Sequence, residues 1–331
     1  MNKIFLTKVL LLSIIFAFLP IVSSAQTINL AQAFSNELDV DITPDYPGPN
    51  NLVSVNLNLY TADLDTAQIV WYKNNQKVLD GKGETRYSFK LDGIGEATQI
   101  KIDITLNNGV YFTKSINFNP AEVSLIWEAD SYVPPFYKGK TLHPKQGNLK
   151  VIALPEFING GKKIDPQNLI YKWSNGLTNY QSQSGYGKNI LILNGSVLGK
   201  SENIKVVVTD PESGLSAEKF LYIKPVDPQI VFYENNPYYG HIFDQALVQN
   251  FEFKGEEVQI LAAPFYFTKD SNIKYEWRLN NNLIKELSDA RLAIFRKPEG
   301  DSGRSNISLQ INNPKKILQF AENNLIMNFE N

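Results

Sequence analysis

A tryptophan recurs along this chain at the spacing of a whole domain, and this repeat constrains the fold more than any other feature. The repeated residues are Trp71, Trp173 and Trp277, which are separated by 102 and 104 residues. An Asn-containing turn follows each of them, at Asn74-Asn75, Asn175-Gly176 and Asn280-Asn281. Asn and Gly tolerate the positive φ of tight hairpins, and about 100 residues is a common domain length. The pattern therefore predicts three copies of one unit.

In each copy a strand with regularly placed apolar residues follows the turn. These strands begin at Ile100, Ile204 and Ile307, which lie 29, 31 and 30 residues after the tryptophans. Units of this length with short strands and frequent turns are typical of antiparallel β-sandwiches. The sequence therefore predicts an all-β chain of three tandem antiparallel sandwiches. A parallel α/β sheet is excluded, because helical segments of about 10–15 residues are missing between the strands.

The last connection of the chain contains the best helix candidate. Lys315 to Glu322 has a short helical pattern, and we predict a helix there. We interpret residues 325–329 as the final strand of the third unit. A detached tail that docks on a partner is the alternative.

Prolines indicate the limits of the units, because proline interrupts strand pairing. Pro120 lies near the first limit, and Pro225 and Pro228 flank the second. We expect a signal peptide at residues 1–25, followed by sandwiches at residues 26–122, 123–227 and 228–331. Short linkers that contain proline favour a semi-rigid arrangement of neighbouring domains.

The N-terminus has the pattern of a secretory signal. Lys3 and Lys8 form a positive end, an apolar stretch covers residues 9–22, and small residues lead to a cleavage site after Ala25. The alternative is a retained membrane anchor at residues 4–22. The uninterrupted apolar stretch at residues 9–22 is shorter than the roughly 20 apolar residues of a spanning helix. In both cases the chain is predicted to be extracytoplasmic: secreted, periplasmic or on the cell surface.

The run Trp71-Tyr72-Lys73-Asn74-Asn75 resembles the third strand and turn of immunoglobulin-like domains. The whole pattern resembles the tandem PKD and immunoglobulin-like modules of bacterial secreted and surface proteins. This resemblance implies a non-enzymatic structural, adhesive or envelope-assembly role. The Trp-Asp-Phe-Gly-Asp-Gly run of PKD modules and the cysteine pair of antibody domains are missing. Without that disulfide, the tryptophans have to pack on facing aliphatic residues such as Ile102, Val206 and Leu309.

Aromatic residues cluster in two segments near the predicted domain junctions, residues 127–139 and 232–240, which we interpret as versions of one motif. Their rings have two interpretations. They wrap the junctions between domains, or they form a platform that binds carbohydrate or peptide. The candidate ligand-binding residues are Trp127, Tyr132, Phe136, Tyr137, Tyr238 and Tyr239.

Composition removes several classes of function. The net charge is -2, so the basic surface that nucleic-acid binding requires is not expected. The chain has no Cys and two His, His143 and His241, and it contains neither a Gly-x-Ser-x-Gly nor a His-Glu-x-x-His motif. We therefore predict no catalytic residues and no enzymatic activity. The expected partners are other envelope or surface proteins, with glycans as the alternative.

Four acidic residues are candidates for a calcium site, since calcium prefers several carboxylate and carbonyl oxygens. They are Asp39, Asp41, Asp63 and Asp65. The alternative is that Asp39 and Asp41 occupy the polar face of a strand, with Asp63 and Asp65 in a solvated turn. Apart from calcium, no cofactor is predicted.

Overall fold

The computed structural model describes residues 30–196, 198–269, 272–297 and 302–329. The predicted signal peptide at residues 1–25 and the alternative anchor at residues 4–22 lie outside the described residues. Within the part of the chain that is described, no helix is long and apolar enough to cross a membrane.

The first unit consists of one short helix and seven strands. These are α1 (Leu30–Glu37), β1 (Asp39–Thr43), β2 (Leu52–Asn58), β3 (Gln68–Lys73), β4 (Gln76–Lys82), β5 (Arg86–Lys90), β6 (Thr98–Thr105) and β7 (Tyr111–Phe118). One sheet has the order β1-β2-β5 and the other β4-β3-β6-β7. Helix α1 was not predicted. It packs on the first core through Ala31 and Phe34, and the Phe34 ring lies 6.1 Å from that of Phe112.

The second unit repeats this arrangement with three additional short pairings. Its strands are β8 (Glu122–Ala129), β9 (Asn148–Glu156), β10 (Ile158–Asn159), β11 (Lys162–Lys163), β12 (Ile170–Asn175), β13 (Thr178–Asn179), β14 (Gly185–Tyr186), β15 (Ile190–Asn194), β16 (Glu202–Thr209) and β17 (Ser216–Ile223). One sheet has the order β15-β9-β8, and the other has the order β13-β12-β16-β17, with β14 also paired to β12. Strands β10 and β11 form a separate hairpin.

The third unit extends both sheets by one strand. Its strands are β18 (Gln229–Asn236), β19 (Gly240–Ala246), β20 (Asn250–Phe253), β21 (Glu257–Phe265), β22 (Lys274–Leu279), β23 (Asn282–Leu283), β24 (Leu292–Arg296), β25 (Gly303–Asn312) and β26 (Phe320–Phe329). The sheet orders are β19-β18-β21-β24 and β20-β26-β25-β22-β23. Strand β20 pairs with β26 in parallel, whereas the other strand pairs of these two sheets are antiparallel.

The three units share one topology, and each encloses its own hydrophobic core. In each unit, a sheet with three common strands packs against a sheet with four common strands. The Trp-bearing strand lies beside the next long strand of the same sheet. This is the strand order of an immunoglobulin-like sandwich. The chain is therefore a tandem array of antiparallel β-sandwiches, as the repeat predicted. The domain limits at residues 122 and 227 stay predictions; β8 begins at Glu122 and β18 at Gln229.

Each repeated tryptophan lies at the centre of its core. Trp71, Trp173 and Trp277 have no exposed side-chain area. Their cross-strand partners are Ile102, Val206 and Leu309. The aliphatic packing that replaces a disulfide is thus built from directly opposed residues, and burial of each large side chain stabilises its unit by roughly 1.5–3 kcal/mol.

The predicted helix at residues 315–322 is wrong. Two consecutive turns follow Asn313, with Lys316 N–H donating to the Asn313 carbonyl and Gln319 N–H to that of Lys316. Strand β26 then begins at Phe320 and pairs with β25. A helix this short makes too few internal hydrogen bonds to offset the cost of nucleation, so the ten-residue ladder with β25 prevails. The final strand predicted at residues 325–329 is confirmed as part of β26.

Candidate interaction surfaces at the domain junctions

The connection that follows β8 leaves the second unit and packs on the third. At its start, the Tyr132 backbone N–H donates to the Phe267 carbonyl at 2.6 Å. The Tyr132 carbonyl in turn accepts from the Tyr266 N–H at 2.8 Å. These two bonds attach residues 130–147 of the second unit to the end of β21, so that the following aromatic side chains are directed onto the outer face of β18 and β21.

A small separate core forms where this connection meets the third unit. We call it the junction cluster, and its members are Val133, Phe136, Tyr137, Leu142, Val226, Val231, Tyr233, Phe243, Ala246, Ala263, Phe265 and Tyr266. The Phe136 ring stacks on Phe243 with 3.9 Å between centroids and meets Tyr233 edge-on at 5.2 Å. The Tyr137 ring meets Phe265 edge-on at 5.4 Å. Offset and edge-to-face pairs of this kind add to the free energy of burial.

Strand β21 is buried on both faces because of this cluster. Ile260 and Ala262 face the third core, while Ala263 and Phe265 face the connection from the second unit. The continuous apolar sequence of β21 is the signature of a strand covered on both sides. The third sandwich therefore depends on the second unit to cover one of its sheets.

A buried polar network supports the same junction. The Gln319 side chain is fully buried, and its Oε1 accepts from the Thr268 backbone N–H at 3.1 Å and from Asn313 Nδ2 at 2.9 Å. Gln319 Nε2 donates to the Lys145 carbonyl at 2.8 Å. Gln146 Oε1 accepts from the backbone N–H of Leu318, the residue before Gln319, at 2.8 Å. Since buried polar groups are costly when unpaired, this network selects one relative placement of the two units.

His143 lies two residues before Lys145, and its imidazole has no hydrogen-bond partner. Its side chain is 1% exposed, and neither Nδ1 nor Nε2 has a hydrogen-bond partner. Desolvation by burial lowers the pKa of the His143 imidazole to about 4. Without a hydrogen-bonded hydroxyl or carboxylate, the ring has no nucleophile to activate. His241 is exposed on β19, with its ring 5.3 Å from that of Phe243.

The structure separates the predicted ligand-binding aromatics into three groups. Phe136 and Tyr137 belong to the junction cluster. Tyr132 is half-buried beside Arg291, and Trp127 packs partly on the second core with the Lys140 ammonium 3.3 Å from its ring centroid. By contrast, Tyr238 and Tyr239 are 91% and 83% exposed at the tip of the β18–β19 hairpin. Ligand binding by these residues stays a prediction, and the tyrosine pair offers free ring surface.

The predicted equivalence of residues 127–139 and 232–240 is displaced by two residues. Pro155 of β9 pairs with Val123, and Pro264 of β21 pairs with Ile230. Counting from these pairs, the second-unit counterpart of Phe232 is Leu125, and Trp127 corresponds to Glu234. The prediction paired the two segments by their aromatic residues, whereas the hydrogen-bonded registers of β8–β9 and β18–β21 pair residues that differ from these by two positions.

The four acidic candidates lie in two places in the first unit. Asp39 and Asp41 are exposed on β1, where Asp41 Oδ2 accepts from Asn58 Nδ2 at 2.7 Å. In the turn before β3, the Asp63 carboxylate accepts from the Asp65 N–H at 2.9 Å and from Thr66 Oγ1 at 2.8 Å. Among the described residues, no group of three or more His, Asp and Glu side chains is placed to hold a metal ion. Calcium binding by the four carboxylates stays a prediction.

An exposed apolar surface on the second unit was not recognised in the sequence. We call it the aliphatic face, and its members are Ile126, Ile152, Leu154, Ile190 and Ile192 on the outer side of the β15-β9-β8 sheet. Ile126, Ile152 and Ile190 are directly opposed across the three strands. Ile126 and Leu154 are 50% and 48% exposed. The uniformly apolar sequence of β15 was the available signal, because a strand with one solvated face normally alternates.

No protein-family model and no curated protein matches this sequence. Among solved structures, the three N-terminal domains of the bacteriophage RB49 highly immunogenic outer capsid protein are 13% identical, covering 88% of this chain and 98% of that one, with a TM-score of 0.28. The central fibronectin-III array of RIM-binding protein is 8% identical over 87% and 95% of the two chains, with a TM-score of 0.31. A Bacteroides ovatus protein, the mixed-linkage glucan utilization locus SGBP-B in complex with a heptasaccharide, is 10% identical over 88% and 70%, with a TM-score of 0.24. TM-scores this low do not establish a shared function, and the sheet orders described above define the fold.

Proposed function

We propose that this chain is a non-enzymatic, extracytoplasmic component of a bacterial envelope or surface assembly, with a structural or adhesive role. The observation that carries the proposal is the junction between the second and third units. An aromatic cluster and a buried polar network join two domains that each already have a core. A protein that holds its partners at a fixed separation needs such a junction, whereas independent binding modules on flexible linkers do not.

Two further features support this proposal. The N-terminal sequence has the pattern of an export signal, and a tandem array of immunoglobulin-like sandwiches is suited to that compartment. The sequence has no cysteine, and the buried His143 imidazole has no hydrogen-bond partner, so neither a thiol nucleophile nor a nucleophile–base pair built on His143 is available.

The absence of native cysteine makes the location directly testable. Tyr239→Cys places a single thiol at an exposed hairpin tip, and Ala262→Cys places one in a fully buried position as the control. We express each full-length variant in bacteria and treat intact or outer-membrane-permeabilised cells with a membrane-impermeant maleimide. We expect labelling of Tyr239→Cys and protection of Ala262→Cys until denaturation. Labelling of Tyr239→Cys only after lysis of the cytoplasm would contradict the proposal.

The same variant tests the role in an assembly. A short thiol-reactive cross-linker applied to envelopes that contain Tyr239→Cys should join the chain to proteins of the envelope or surface, which include copies of itself. If the chain is exported but remains uncross-linked and is released as a free monomer, the assembly role is wrong while the location holds.

A second function, binding of carbohydrate or peptide, is favoured by one observation. Tyr238 and Tyr239 present two nearly fully exposed rings side by side in sequence, and exposed aromatic rings suit stacking on sugars. Glycan and peptide arrays probed with the protein and with the Tyr238→Ala/Tyr239→Ala variant test this function. Tyr60→Ala, which removes an isolated ring of 90% exposure, is the matched control. Binding that is lost in the double variant and retained in the control would support it.

A further inference from the structure

We propose that two copies of this chain bind each other. The β18–β19 hairpin of one copy packs its Tyr238 and Tyr239 rings on the aliphatic face of the second unit of the other copy. This inference rests on the proposed role in an assembly and specifies the partner. The second and third units already form one interface between an aromatic connection and an apolar sheet face. A second aromatic connection, the β18–β19 hairpin, and a second apolar sheet face, the aliphatic face, are both left uncovered by the described residues.

The internal interface consists of an aromatic connection and an apolar sheet face. The connection links the first two strands of the second unit, at residues 130–147, and carries Phe136 and Tyr137. The receiving face is the outer side of β18 and β21 in the third unit, where Tyr233 and Ala263 are 8% and 0% exposed. The connection from the second unit does not extend over β24, since Ile294 on the same side of the sheet is 48% exposed.

The same face of the second unit is apolar and open. By the registers of the equivalent strand pairs β8–β9 and β18–β21, Ile126 is the counterpart of Tyr233, and Leu154 is the counterpart of Ala263. These two residues are 50% and 48% exposed in the second unit. An apolar patch that is contiguous across three strands indicates an interaction surface rather than scattered surface residues.

The first unit does not cover this face. Its connection between the first two strands contains Tyr46, whose ring lies 5.9 Å from the Lys205 ammonium. Lys205 belongs to β16, in the opposite sheet of the second unit. The connection of the first unit is therefore directed to the other side of the sandwich.

The third unit has an aromatic connection of its own, and the rings at its tip are not covered by another described part of the chain. The connection between β18 and β21 in the third unit corresponds to residues 130–147 of the second, and its hairpin tip carries Tyr238 and Tyr239. Their exposures of 91% and 83% show that they do not contact the aliphatic face of their own chain. Because the junction cluster fixes the third unit on the second, the open hairpin and the open face can meet only between two molecules.

The chemistry of the face favours a protein side chain over a sugar. Its exposed members are aliphatic, and the ion pair between Lys150 and Glu128, with a 3.2 Å contact, lies on the adjacent pair of positions. Sugars stack on aromatic rings, whereas tyrosine can bury its ring on aliphatic residues and keep its hydroxyl at a hydrated rim. Contact between different surfaces of two copies is heterologous and gives a head-to-tail chain unless it closes into a ring.

Cross-linking between single-cysteine variants tests this geometry. We mix full-length Tyr239→Cys with full-length Leu154→Cys under mild oxidation and expect a disulfide-linked heterodimer. The control mixture replaces Leu154→Cys with Tyr222→Cys, an exposed position on β17 of the opposite sheet. Equal yields from the two mixtures would overturn the proposal.

Sedimentation of the full chain provides the second measurement. We expect the mass to rise with concentration, and the association to weaken by roughly tenfold or more in Tyr238→Ala/Tyr239→Ala and in Ile126→Lys. Tyr60→Ala and Leu177→Lys, which alter exposed positions outside the two surfaces, should associate like the unaltered chain. Unchanged melting temperatures exclude unfolding as the cause.

The two proposals fail in different ways. A chain that stays monomeric, or that cross-links in envelopes only to other proteins, overturns the head-to-tail contact and leaves the assembly role standing. A chain that is retained in the cytoplasm overturns the proposed function, whatever its oligomeric state.

Discussion

The repeated tryptophans tie the two sheets of each sandwich through one hydrogen bond as well as through packing. The indole N–H of Trp71 donates to the Glu84 carbonyl at 2.7 Å, and that of Trp277 donates to the Ala290 carbonyl at 2.7 Å. In the second unit, Trp173 donates to the Lys188 carbonyl at 2.9 Å. Each carbonyl lies two residues before the fifth common strand of its unit, which belongs to the opposite sheet. A buried indole N–H requires such a partner.

Replacement of any of these tryptophans should destabilise its own unit strongly. We expect Trp71→Ala, Trp173→Ala and Trp277→Ala each to lower the free energy of unfolding of that unit by about 3–5 kcal/mol, as buried aromatic truncations do. The Phe variants keep most of the apolar volume and leave the carbonyl unpaired, so they should cost less, about 1–3 kcal/mol. Denaturant unfolding of the full chain measures both series. Tolerance of an Ala variant would contradict the equivalence of the three units.

His143 makes the second junction sensitive to acid. Burial disfavours the imidazolium only in the folded state, where the pKa is lowered from 6.5 to about 4. Above pH 6.5 the ring is neutral in both states and has no effect. As the pH falls from 6.5 to 4 the unfolded state binds the proton first, so the free energy of unfolding decreases, and the loss levels off below pH 4.

We therefore expect His143→Leu to remove part of the acid sensitivity of the chain. The difference in melting temperature between this variant and the unaltered protein should change between pH 6.5 and 4, in favour of the variant at low pH. His241→Gln, at an exposed position, is the control for loss of a histidine in general. A difference that is constant across this pH range would show that the buried ring does not titrate.

At the scale of elements, asparagine side chains connect hairpins to the neighbouring strand. Asn74 and Asn75, like Asn280 and Asn281, adopt φ between 49° and 69°, as the Asn-containing turns predicted. The Oδ1 of Asn280 also accepts from the Asn306 backbone N–H at 2.8 Å. This bond secures the turn after β22 to β25, so the side chain contributes more than tolerance of a left-handed backbone.

Two neighbouring residues separate these contributions. Asn280→Gly keeps the left-handed backbone and removes the acceptor for the Asn306 N–H, so we expect a loss of about 1 kcal/mol. Asn281→Gly has no such bond to lose and should be close to neutral. Thermal unfolding of the two variants provides the comparison. Equal effects would show that the hydrogen bond contributes nothing measurable.

At the scale of the whole molecule, the two junctions differ in construction. The first is joined by Asn119 Nδ2, which donates across the junction to the Ile158 carbonyl at 3.2 Å. The second has the junction cluster and the network around Gln319. We expect the second and third units to unfold together and the first to unfold separately.

Gln319→Ala should weaken the coupling between the second and third units. The variant removes the acceptor for the Thr268 backbone N–H and for Asn313 Nδ2, and loss of an acceptor for buried donors costs about 1–3 kcal/mol. Calorimetry should show the joint transition of these units broaden or divide. Gln181→Ala, at an exposed position, should leave it unchanged. Separate transitions for the two units in the unaltered protein would contradict the coupling.

Two glycines test the first junction. Gly95 and Gly109 both have left-handed backbones, with φ of 76° and 83°. An added Cβ at Gly95 would lie 2.8 Å from Ile158 Cγ2, whereas nothing lies within 4 Å at Gly109. Both alanine variants should lose about 1–2 kcal/mol from backbone strain, and Gly95→Ala should lose more because the units are pushed apart. Equal losses in thermal unfolding would mean that the side chain of Ile158 moves away without cost.

The sequence by itself determined the repeat, the all-β architecture, the buried tryptophans with their aliphatic partners, and the Asn-containing turns. These follow from side-chain periodicity and backbone preference, which act over a few residues. Helix α1 and the strand at Phe320 were missed, because a short segment takes the structure that its tertiary partners stabilise.

Only the tertiary structure decided which apolar faces are covered. The outer side of β21 and the outer side of β9 are both apolar in sequence, but Ala263 is buried by the connection from the second unit while Leu154 remains 48% exposed. Similarly, Phe136 is half-buried in the junction cluster and Tyr238 is 91% exposed, although both were predicted from one motif. Covering a face depends on where another domain lies, and local patterns carry no information about that placement.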